Sequence, residues 1–352
     1  MEYSLKVAPG SVKCFDGLGE GAHWDAEKEE LLYVDLTGQA VFLYVPKSKE
    51  CYRLQIDDGW VPAVVPVRGE AQKYLISIGR TLNVMEWDGM SERAATLKTV
   101  HTVDQDAPTI NWLNDGKCDS SGRFWTGTIG PYSFETGKAD PNLGTLYCLG
   151  NDGKLTGHLS GIDFSNGLTW SPDNCTMYYN DSYSTKLAAF DFDVTDGSLF
   201  KTLTNFQKFV FFNIYIFFNY SKKGNRRIVF DFEANNTAGF PDGMTTDSDG
   251  NLWISMFSGE GVIKVDPKVG KQIGCVKIPT KRATCPTFGG KNLEILYVTT
   301  AGAFMPTEKA SDIGPDAGAL FQVENIGVKG CSQGGVSYAG NNSLHDFVAK
   351  SE

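Results

Sequence analysis

The sequence predicts an all-β fold, a six-bladed β-propeller with a metal ion on the central axis, and three observations carry that prediction. Short β-rich runs bounded by Gly, Asp and Pro recur along all 352 residues, while helical periodicity is nearly absent. A strand-centred aromatic returns at Tyr33, Tyr74, Trp125, Tyr179, Trp253 and Tyr297, at intervals of 41, 51, 54, 74 and 44 residues. Three anchors say nearly the same thing: Leu113-Asn114-Asp115-Gly116, Ser165-Asn166-Gly167-Leu168 and Pro241-Asp242-Gly243-Met244. Units of this length, each strand, turn and strand, suit four-stranded blades around an axis better than a sandwich.

The units follow in order. Gly17-Leu18-Gly19-Glu20-Gly21 opens the first; it departs from G-x-G-x-x-G and leads into a strand-like run, which excludes a dinucleotide loop. Its second strand, Glu30 to Asp35, resembles Thr176 to Asp181 and Glu294 to Thr299. The second unit starts near Val61-Pro62 and carries Lys73-Tyr74-Leu75-Ile76. The third starts at Asn114, and its Asp119 to Trp125 is echoed in the fifth by Asp247 to Trp253. Asp-Gly turns set tight hairpins between neighbouring strands. The fourth starts at Asn166, 52 residues after Asn114, and the sixth near Cys285-Pro286.

The gap from Asn166 to Asp242 is 76 residues and contains Phe200 to Lys223, a 24-residue aromatic stretch sharing no marker with the repeats. Without it the gap is again about 52, so residues 200–223 are read as an insertion in an outer hairpin of one blade. Their Phe, Ile, Tyr, Asn and Lys are products of AT-rich codons, which favours translated non-coding sequence over a protruding hairpin. The apolar core, Phe209 to Phe218, is too short to span a bilayer. One propeller domain over residues 1–352 is expected.

A net charge of −10 excludes nucleic acid or an anionic membrane surface as the natural partner. The first ten residues lack an apolar signal region, and eight cysteines are scattered without a C-x-x-C pair. Reduced thiols, a cytoplasmic location, no membrane span and a monomer are expected.

In a propeller the innermost strand of each blade starts at one mouth of the channel. The starts fall near Glu20, Val61-Pro62, Asn114, Asn166, Asp242 and Cys285-Pro286, and four of them carry oxygen ligands. Two carboxylates and two amides, without His or Cys, suit Ca²⁺ or Mg²⁺, and Mn²⁺ less selectively. Each Asn-Gly or Asp-Gly taken singly is also a common turn signal; their shared period is what favours one site. His23, near Glu20 on an edge of the first strand, is expected to pack or to support the site. Gly330-Cys331-Ser332-Gln333-Gly334 fits G-x-S-x-G, yet only 18 residues follow it, too few for the acid and His of a nucleophile elbow.

These residues are also those that resemble a known family. Gly19-Glu20-Gly21-Ala22-His23-Trp24, the three anchors, Phe288-Gly289-Gly290-Lys291-Asn292, and Gly327-Val328-Lys329-Gly330 with Ser337-Tyr338-Ala339-Gly340 are similar to the regucalcin family. That family takes in senescence marker protein, gluconolactonase and luciferin-regenerating enzyme. The resemblance covers the chain except Phe200 to Lys223, and it implies a six-bladed propeller that hydrolyses sugar lactones at one axial divalent ion.

By that resemblance Glu20, Asn114, Asn166 and Asp242 are the metal ligands, and Asp242 is also the catalytic proton acceptor and donor. Asn114 also contacts substrate. Ca²⁺ is the expected ion, with Zn²⁺, Mn²⁺ or Mg²⁺ as alternatives, and a small lactone is the expected partner. The family's Asn-Arg-[Phe/Leu]-Asn-Asp-Gly is here Asn111-Trp112-Leu113-Asn114-Asp115-Gly116, so Trp112 takes the substrate-contacting Arg position. A donor-only indole there suits a flatter, less polar ester. A substrate Glu that follows the family's Gly-Thr-Met has as nearest counterpart Glu135, after Gly127-Thr128-Ile129. The other readings are a non-catalytic Ca²⁺-binding regulatory propeller and a luciferin-regenerating-like hydrolase.

Overall fold

The strand runs of the sequence pair into six four-stranded antiparallel sheets, in a computed structural model that describes residues 3–337 apart from 15–16, 95, 200–224, 260, 306–308 and 333. The innermost strands are Gly19–Asp25, Ala63–Pro66, Trp112–Cys118, Ser165–Trp170, Phe240–Thr246 and Ala283–Gly289. All six aromatic markers fall on the second strand of their blade, from Tyr33 in Glu30–Asp35 to Tyr297 in Ile295–Thr300. These second strands are covered on both faces, so they read as nearly continuous apolar runs instead of alternating. Six apolar clusters fill the gaps between neighbouring blades; Leu32 and Val34 of the first, for example, meet Val64 and Ile76 of the second.

The N-terminal segment, read in the sequence only for a missing export signal, closes the ring. Ser4–Val7 is the outermost strand of the last blade, paired with Phe321–Glu324. The last blade thereby takes its outermost strand from the segment that leads into the first blade, which leaves no open seam. A Lys6 Nζ to Glu324 Oε1 contact of 2.8 Å sits on this exposed pair.

The tail crosses the opposite end of the channel. Gly330 N donates to Leu293 O, Cys331 N to Thr246 O, Val336 N to Pro66 O and Ser337 N to Gly122 O, touching the sixth, fifth, second and third blades in turn. Val336 is fully buried in the cluster between the second and third blades. Residues 338–340, part of the tail resemblance, and the predicted insertion at 200–223 lie outside the described residues. The strands flanking that insertion, Lys186–Asp191 and Arg227–Asp231, pair as the two outer strands of the fourth blade. Among the described residues no helix is long and apolar enough to cross a membrane.

Candidate metal centre

Five of the six innermost strands break register at the same height. Asn114 and Asp115 together oppose Gly127, because Leu113 pairs with Thr128 and Gly116 with Thr126. Asn166 and Gly167 lie between paired Ser165 and Leu168, and Asp242 and Gly243 between paired Pro241 and Met244. In the first blade the break follows Glu20, and in the sixth it takes in Thr284 and Cys285. An extra residue of this kind bends the strand and re-aims its side chain. Glycine is required where the bulges meet: a Cβ on Gly167 would stand 2.4 Å from Asp242 O, and one on Gly243 2.9 Å from the Cys285 Cα. The neighbouring backbones are that close because the axis is crowded.

The four predicted ligands converge. Glu20, Asn114, Asn166 and Asp242 line one cavity of about 600 Å³ at the channel mouth. Hydrogen bonds between blades hold the set. Asn114 Nδ2 donates to Ser165 O at 2.8 Å, Asn180 Nδ2 to Asp242 O at 3.1 Å, and Ser182 Oγ to Pro241 O at 2.7 Å. The bond from Asn114 Nδ2 fixes that amide's orientation by engaging its nitrogen. Asn166 donates to the Asp242 carboxylate, while its own Oδ1 is buried without a partner.

The electrostatics ask for a cation. Burial first, then the charges of Asp242 and Asp115, push Glu20 well above the usual carboxylate range. Asp242 is likewise pushed well up by burial and by Asp115, against hydrogen bonds from Asn166 and the Gly243 N–H. Asp115 is raised by burial too, opposed by Lys117, and its Oδ2 has no hydrogen-bond partner. Lys117 is itself buried and donates Nζ to Met244 O. Lys117 opposes the rise at Asp115, and Glu20 and Asp242 are the two carboxylates that line the cavity. Among the described residues no three His, Cys, Asp or Glu side chains gather as a metal-holding group. The four expected side chains bring carboxylate and amide oxygens to the cavity, a set that would fit Ca²⁺, Mg²⁺ or Mn²⁺.

Other expected residues fall elsewhere. His23 sits in the innermost strand, the edge strand of the first sheet, 3 % exposed, with Nε2 unpartnered, and burial and Lys117 hold its pKa down at about 3. Trp112 is not among the residues lining the cavity. It stacks on Trp60, which is, with ring centroids 5.0 Å apart. Its strand carries it one layer behind a loop residue of the preceding blade, which spacing along one chain cannot show. Glu135 is exposed and does not line the cavity either. The cysteines are free, with Cys14, Cys118, Cys148 and Cys285 buried.

Sequence reasoning missed Asn180 and the aromatic wall of the cavity. Asn180 was legible as the residue after Tyr178-Tyr179 on the strand facing the fourth-blade bulge. The wall was legible too: Phe164 and Phe240 stand two residues before Asn166 and Asp242, as Trp112 does before Asn114.

Comparison with known proteins agrees with this architecture. Residues 18–302 match the model of the SMP-30/gluconolactonase/LRE-like region. Regucalcin of Xenopus laevis is 32 % identical over 313 residues, 89 % of this chain and 92 % of that one. Regucalcin of Gallus gallus is 34 % identical over the same shares. A solved luciferin-regenerating enzyme superposes with a TM-score of 0.81 at 31 % identity, covering 96 % of this chain and 100 % of that one.

Proposed function

Because the chain belongs to the SMP-30/gluconolactonase/LRE-like family, we propose that it is a divalent-metal-dependent lactone hydrolase. Glu20, Asn114, Asn166 and Asp242 hold the ion, Ca²⁺ by preference of the oxygen set, and Asp242 handles the proton. The observation that carries the reading is the convergence of these four side chains on one cavity, with the Asn166 Oδ1 buried and unpartnered. A bound divalent ion would supply Lewis-acid polarisation of the ester carbonyl. Asn166 keeps Asp242 in place through its amide N–H, and Asn180 holds the Asp242 backbone. Asp242 takes the proton of the attacking water and returns it to the ring oxygen as the acyl C–O bond opens, giving a hydroxy acid. The apolar wall limits the water that reaches the site.

The test is hydrolysis of a lactone panel by chelator-treated protein with Ca²⁺, Mn²⁺ or Zn²⁺ added back, for wild type and Asp242→Ala. Metal-dependent turnover that falls by about 100-fold or more in Asp242→Ala is expected. Turnover untouched by the substitution would sink the assigned mechanism. Ion binding without turnover on any lactone would leave the regulatory propeller as the better account.

A further inference from the structure

A second ring of positions lies two residues ahead of the first, at or just before the start of each innermost strand. Leu18, Trp60, Trp112, Phe164, Phe240 and Arg282 precede Glu20, Pro62, Asn114, Asn166, Asp242 and Thr284 at this spacing. In extended chain, residues two apart share a face and stand about 7 Å apart. Leu18, Trp60, Phe164 and Phe240 accordingly line the same cavity as the four oxygen ligands, one layer nearer its mouth. Arg282, the charged member, lies over the rings of Phe257 and Phe304, at 5.1 and 5.4 Å.

A hairpin that interrupts the third blade, Tyr132–Ser133 with Lys138–Ala139, adds two more rings. Trp60 meets Phe134 edge to face at 5.3 Å, Phe134 meets Tyr132 at 5.3 Å, and Tyr132 meets Phe164 at 6.5 Å. Phe164 meets Tyr183 at 5.0 Å, and Tyr183 meets Phe240 at 6.3 Å. The result is an unbroken aromatic arc from the second blade to the fifth. Two polar atoms beside the arc are already engaged: Tyr183 Oη accepts from Ala139 N at 3.1 Å, and Ser182 Oγ donates to Pro241 O; Thr37 Oγ1, on the same lining, has no partner among the described residues. A polyhydroxy lactone seated within the arc would press hydroxyls against ring faces, where each loses its water partners. A flat aromatic ring would meet edges and faces suited to it.

We propose that the cavity takes a lactone fused to an aromatic ring, its ester over the four oxygen ligands and its ring within the arc. This rests on the hydrolase reading above and narrows its substrate class. Water oxygen adds to the lactone carbonyl carbon, the ring C–O bond breaks, and the released aryl oxygen takes the proton, giving a hydroxyaryl acid with no other reactant.

The test compares 3,4-dihydrocoumarin, δ-undecalactone and glucono-δ-lactone. The expected kcat/KM for dihydrocoumarin exceeds that for gluconolactone by about 100-fold. Trp60→Ala lowers it about tenfold, through KM, and Trp60→Phe restores most of the loss. Equal or better turnover of the sugar lactone or the alkyl lactone overturns the proposal and leaves the hydrolase reading standing. So does a dihydrocoumarin KM unmoved in Trp60→Ala that folds with the wild-type circular dichroism. If no lactone turns over, the hydrolase reading fails. Calorimetric binding of 2-tetralone, the unreactive carbocyclic isostere, then decides the cavity's preference: binding weakened in Trp60→Ala upholds it, and no binding overturns it.

Discussion

Asp242 serves the site at the expense of the fold. It is buried beside Glu20 and Asp115; burial pushes all three toward protonation, the charges of Asp242 and Asp115 raise Glu20 further, and that of Asp115 raises Asp242. Removing one charge from such a group relieves the others. Asp242→Asn is therefore expected to raise the melting temperature of chelator-treated protein by about 2–4 °C, while lactone hydrolysis falls; a lower melting temperature in calorimetry would contradict the assignment. His23 sets an acid limit. Its pKa of about 3 in the folded chain lies below the unfolded value near 6.5. The unfolded chain takes the proton first, so stability is held above about pH 6.5 and lost as pH falls toward 3. Urea midpoints for His23→Gln should fall less steeply than wild type between pH 7 and 4; parallel slopes would exclude His23. At this scale the ligand set was legible because its residues repeat with the blades. The compensation of Asp115 by Lys117 was not, because it depends on which residues the bulge turns inward.

The bulge is the element that makes the site. Each of three breaks in register places one glycine beside one oxygen ligand and lets the next blade's backbone come close. Gly167→Ala puts a methyl group against Asp242 O, and the two ligand strands must separate. A loss of about 1–3 kcal/mol in stability is expected, together with weaker ion binding than in wild type, measured by urea unfolding and by titration calorimetry. Unchanged ion affinity in Gly167→Ala would show that the bulge does not set the ligand spacing. The second strands were readable, since apolar runs covered on both faces survive any choice of neighbour. The closing strand Ser4–Val7 was not, as four residues with half-buried Leu5 and Val7 find their partner 314 or more residues away. The hairpin at Tyr132–Ala139 escaped for a similar reason: two paired positions carry no period.

For the whole molecule, the ring is sealed at its seam by one terminus and at one end of its channel by the other. The cavity at the opposite mouth is where the proposed substrate and ion would meet. Val336, buried between the second and third blades, anchors the seal. Val336→Ala is expected to cost about 1–2.5 kcal/mol, read by thermal unfolding, and no change would mean that the tail does not hold the channel end. The six-fold repeat and the convergence of Glu20, Asn114, Asn166 and Asp242 on one cavity were both legible, because symmetry converts spacing along the chain into neighbours around an axis. Which loop residue stands in front of another is set across blades, as where Trp60 lines the cavity and Trp112 packs against it. The most direct test is calorimetric titration of Ca²⁺ or Mn²⁺ into chelator-treated protein. The account predicts one ion per chain in wild type and none in Asp242→Ala or in Asn166→Leu, each with its fold intact; undiminished binding in either variant would contradict it.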